Sequence, residues 1–69
     1  MWAVIMQHPD SAHWFIHYGG LPTRASAVAK LQRNMQQYAE CDSPILRKHG
    51  LQYKRKVVTQ AEAVQLTSN

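Results

Sequence analysis

Only one stretch of this chain repeats its apolar residues with the period of a long helix, and runs built for strands flank it. Ala25, Val28, Leu31, Met35 and Tyr38 recur at steps of three and four across residues 24–40, which aligns them in one stripe. Lys30, Arg33, Asn34, Gln37 and Glu40 fall elsewhere on the wheel. Thr23 precedes the stretch as an N-cap, its hydroxyl able to accept a free backbone N–H. One such stripe can cover one face of a small sheet. A chain of 69 residues with the lone cysteine Cys41 has no disulfide to add, so it must hold itself by packing around one thin core or by a partner.

The remaining elements read as strands and short turns. Residues 2–7 are a run of strand formers and 13–18 are aromatic and β-branched, separated by His8-Pro9-Asp10-Ser11-Ala12. Proline, Asp and Ser favour a turn there, so the two runs are expected to form a hairpin. Gly19-Gly20 is expected to end the second strand, with Pro22 blocking its continuation. Ser43 and Pro44 are placed to start a single helical turn that Gly50 would end. Residues 51–58 read as a third strand, with Leu51, Tyr53 and Val57 on one face and Lys54 and Lys56 on the other. Thr59 and Glu62 have capping-box spacing for a short helix over 60–66; a flexible tail over 59–69 is the alternative.

The expected fold is a single α+β domain over residues 1–69 of ββαβ order. Its antiparallel or mixed three-stranded sheet has the order 2-1-3, is packed on one helix and carries a short C-terminal helix. Strand 1 has apolar residues on both faces, as a central strand requires. The sheet face away from the helix would carry either His13, Phe15 and His17 or Trp14, Ile16 and Tyr18, depending on register. Aromatic surface left open in so small a domain marks a partner site or a homodimer, unless the terminal helix covers it.

Charge narrows the partner. Eight Lys and Arg against four Asp and Glu leave a formal charge of +4, which favours anionic partners. Arg47, Lys48, Lys54, Arg55 and Lys56 hold five of those eight cations within ten residues, with His49 and Tyr53 interleaved. Cations neutralise phosphates and release counterions, and aromatic faces stack on bases. The same lysines on an edge strand would also serve to block sheet-to-sheet aggregation. Arg24 stands at the positive end of the long helix, beside Gly19 and Gly20, and Glu40 and Asp42 at its negative end. That arrangement opposes the helix dipole and makes Arg24 a candidate anion site.

Other chemistries find little support. His8, His13 and His17 lie close in sequence, but His13 and His17 would sit about 13 Å apart on a strand, and Cys41 and His49 lack zinc-ligand spacing. No metal and no cofactor is expected. Cys41 with Asp42 beside it has no histidine set to activate it, and catalysis is not expected. No apolar run approaches the length of a membrane span, and residues 1–6 lack the basic start of a secretory signal. With an unpaired cysteine, the expected compartment is the cytoplasm.

The order of elements over residues 2–58, a strand hairpin, one helix and a last strand, resembles small phage-encoded regulators that inhibit bacterial RNA polymerase. That resemblance rests on topology and brevity, with no shared motif, and those inhibitors are acidic where this chain is basic; no residue is carried over. It implies a stoichiometric inhibitor or adaptor acting on a protein such as a polymerase or a CRISPR-type defence nuclease complex. The basic run itself points to a nucleic-acid-binding regulatory module. In it Arg47, Lys48, Lys54, Arg55 and Lys56 would meet phosphates and Tyr53 would stack.

Overall fold

In the computed structural model, which describes residues 1–68, the chain runs β1 (Trp2–Gln7), β2 (Trp14–Leu21), α1 (Arg24–Ala39), α2 (Pro44–Leu51), β3 (Lys54–Thr59) and α3 (Gln60–Thr67). The sheet has the expected order β2-β1-β3, and β1 is antiparallel to both neighbours. Ala3, Val4, Ile5 and Met6 are all buried, because β1 has a strand on each side and a layer on each face. The part of residues 59–69 that is described folds as the short helix; Asn69 lies outside the described residues.

Cross-strand register assigns the faces. Lys54, Gln7 and Trp14 form one row across the sheet, Lys56, Ile5 and Ile16 the next, and Val58 and Ala3 the third. On the opposite face, Arg55, Met6 and Phe15 form one row and Val57, Val4 and Tyr18 another. Strict alternation would put Tyr18 with Trp14 and Ile16. A register shift between Val4 and Ile5 adds His17 as an extra residue in β2, and such a bulge reverses the faces that follow. Tyr18 therefore turns toward α1, where the Lys30 ammonium sits 5.4 Å from its ring centroid.

Gly19 and Gly20 do not end β2. The strand passes through both to Leu21, opposite Trp2. A second shift is absorbed here by Gly20 at φ +66°, a backbone state glycine adopts without steric cost. The Gly20 N–H is held by Gln60 Oε1 at 2.9 Å, and the Gln60 N–H donates to Met1 O at 2.9 Å. One residue at the start of α3 thus fastens the end of β2 and the start of β1.

α1 packs on the Arg55 face and α3 covers part of the other. Thr23 caps α1 as expected, in a capping box closed by Ser26. The buried line of α1 is not the purely apolar stripe, however: Ala27 and Asn34 are buried, while Met35 is 41% exposed. Asn34 is drawn inward by polar partners described below. Thr59 caps α3 by accepting from the Glu62 N–H at 3.2 Å. Ala63 completes a small cluster with Ala3, Ile5 and Val58, against which Trp14 packs. Thr59→Ala is expected to lose about 1 kcal/mol of unfolding free energy, measured by urea titration. An unchanged midpoint would show that α3 needs no cap.

Residues 43–50 form more than one turn. α2 continues through Leu51, so the third strand starts at Lys54 rather than residue 51. Ser43 caps its start and Pro44 occupies its first turn. Gly50 lies inside the helix, where it lets α2 approach Tyr38 of α1 closely. Among the described residues, no helix is long and apolar enough to cross a membrane.

Candidate functional site

The basic run separates into outward and inward groups. β3 alternates, so Lys54 and Lys56 point to one face and Arg55 to the other. Lys54 and Lys56 are exposed, and among the described residues no carboxylate pairs with either. They share their face with Trp14 and Ile16, in two rows whose central residues, Gln7 and Ile5, are buried. The Lys56 ammonium lies 5.0 Å from the Trp14 ring centroid, within the range of a cation–π contact. Ile16 is 38% exposed. The result is one side of the sheet bordered by two exposed cations on β3 and by a half-buried indole and an exposed aliphatic side chain on β2.

Arg55 does different work. Its Nε donates to Asn34 Oδ1 at 2.8 Å, Nη1 to Tyr53 O at 3.0 Å and Nη2 to Gly50 O at 2.7 Å. Gly50 O is one of the terminal carbonyls of α2 that have no partner in the helix, at the negative end of its dipole. The guanidinium therefore caps α2 from the neighbouring strand and ties it to α1. Burial is the larger cause acting on Arg55 and lowers its pKa from the usual value; the charge interaction with Tyr38 raises it. The cation persists at any physiological pH, but it is spent inside the fold.

Asn34 extends this network. Because Oδ1 accepts from Arg55, its Nδ2 faces His17 Nε2 at 3.3 Å as donor.

The other predicted residues are scattered around this centre. Lys48 is exposed on α2. Arg47 is half-buried, and its Nη1 donates to Cys41 O at 3.2 Å. Tyr53 is half-buried in an edge-to-face group with His8, His49 and Phe15, at ring centroid distances of 5.1, 5.5 and 6.4 Å. Arg24 is exposed at the first residue of α1, but the Ser26 N–H beside it is taken by Thr23 and the Gly20 N–H by Gln60. The Gly20 N–H is thus already taken where Arg24 begins the helix. Cys41 is a half-buried free thiol. Among the described residues, no three of His, Cys, Asp and Glu converge as metal ligands.

Trp14 and Ile16 are the residues that sequence reasoning left out of the site. Alternation along β2 placed them on a common face, but nothing local tied that face to the lysines; the pairing of both strands with Gln7 and Ile5 does. No protein-family model, no curated protein and no solved structure matches the chain.

Proposed function

We propose that this protein is a non-enzymatic regulatory module that binds nucleic acid through the side of the sheet that carries Lys54 and Lys56. The observation that carries this reading is the placement of Lys54 and Lys56, exposed and without carboxylate partners among the described residues, on the same face as Trp14 and Ile16. Phosphates would meet the ammonium groups, and the apolar side chains would contact sugar or base. Lys48 lies on the neighbouring helix as a further cation. Arg55 and Arg47, engaged with backbone carbonyls, contribute through structure.

Fluorescence anisotropy with a labelled oligonucleotide tests this. Affinity should fall steeply with salt, and the double variant Lys54→Ala/Lys56→Ala should reduce the slope of log K against log salt by about 2. No binding at low salt would end the nucleic-acid reading.

A second reading is favoured by a different observation. Ile45 and Leu46, adjacent on α2, are 80% and 57% exposed, and apolar side chains so placed suit a protein partner. As an inhibitor or adaptor, the chain would dock on a nucleic-acid-processing protein with these residues as anchors. Pull-down from nuclease-treated lysate should then recover one protein in fixed ratio, and Ile45→Asp should abolish the recovery. Recovery unchanged by that variant would remove α2 from the interface.

A further inference from the structure

We infer that the ligand is a single-stranded nucleic acid, bound with its bases unstacked against aromatic rings at the hairpin-loop end of the sheet. This rests on the nucleic-acid reading above and names the form of the polymer. Aromatic side chains gather on both faces at that end, next to the start of β3. On the lysine face stands Trp14, with Lys56 above its ring. On the other face, Phe15 is 43% exposed at the edge of the sheet and leads into the Tyr53, His8 and His49 group. Every ring pair in that group meets at an interplanar angle between 63° and 88°, so no two are stacked face to face.

Base faces are open to such rings only when the strand is unpaired. A duplex hides the base faces in its stack and presents only phosphates, sugars and base edges, on which rings cannot stack. The cations match the same form. Lys54 and Lys56 are two positions apart on one strand, about 7 Å, close to the spacing of consecutive phosphates on an extended chain. β2 is an edge strand of eight residues, Trp14–Leu21, without one Lys, Arg, Asp or Glu. It therefore offers rings and backbone, while β3 offers charge. α3, the helix on this face, has no Lys or Arg to set against the phosphates of a groove.

Anisotropy titrations at low salt with oligo-dT, oligo-rU and a DNA duplex, each of ~12 nucleotides per strand, test the inference. The single strands should bind about tenfold or more tightly than the duplex. Phe15→Ala should weaken single-strand binding about tenfold, as loss of one stacking ring does, and leave the salt slope and duplex binding unchanged. Trp14→Ala should do the same, but Trp14 also packs on the core, so its melting temperature must be measured alongside; the exposed Phe15 and His49→Ala variants carry the test if it unfolds. A preference between oligo-dT and oligo-rU assigns DNA or RNA, and either supports the inference. Equal binding to duplex and single strand, or a Phe15→Ala/His49→Ala variant that binds like the unaltered protein, would overturn it and leave the nucleic-acid reading standing. Binding to none of the three would remove both.

Discussion

Gly50→Ala should destabilise this protein by about 3 kcal/mol, the upper part of the range for forcing a methyl into a filled space. A Cβ at position 50 would overlap Cγ, Cδ1 and Cε1 of the Tyr38 ring. The ring cannot simply step aside, because the Arg55 guanidinium lies over it at 5.7 Å. An alanine inside a helix would otherwise gain about 1 kcal/mol over glycine, so the sign of the effect separates packing from propensity. Urea unfolding measures it. In the double variant Gly50→Ala/Tyr38→Ala the methyl has room, and the loss should be less than the sum of the two single losses. A stabilised Gly50→Ala would mean that α2 and α1 do not touch in solution as described.

Arg55→Ala should lose about 3 kcal/mol as well, for a different reason. It removes three hydrogen bonds from a charged donor, and leaves Gly50 O, Tyr53 O and Asn34 Oδ1 short of partners in a half-buried setting. Domains of this size have only a few kcal/mol in reserve, so the variant should be largely unfolded at modest urea. Arg55→Lys should recover only part of the loss, since one ammonium cannot span acceptors on α1, α2 and the α2–β3 link as a planar guanidinium does. In contrast, Lys54→Ala should leave the urea midpoint nearly unchanged, because that side chain is exposed. If Arg55→Ala were as stable as Lys54→Ala, the guanidinium would be facing solvent and would return to the list of candidate phosphate contacts.

Arg55 shows how the candidate site was and was not legible. Counted along the chain, it is one of three consecutive cations and looks equivalent to Lys54 and Lys56. Alternation of a strand separates it from them, yet which of the two sets faces outward depends on what each face packs against. Asn34 settles that: a polar residue off the apolar stripe of α1 becomes buried because Arg55 and His17 supply its partners. Neither residue carries a local signal of the other, since twenty-one positions separate them.

The elements with local causes were readable from the amino-acid order alone. α1 has its period and its Thr23 cap, α3 its Thr59 and Glu62, and β1 its apolar residues on both sides; together they imply the sheet order 2-1-3. Tertiary structure decided the rest. The bulge at His17 sends Tyr18 to the face opposite Trp14, Gln60 carries β2 through two glycines, and Arg55 caps an α2 that short-range signals would have stopped at Gly50. Each of these depends on hydrogen bonds or contacts between residues far apart in sequence, and periodicity within a single segment holds no information about its distant partner.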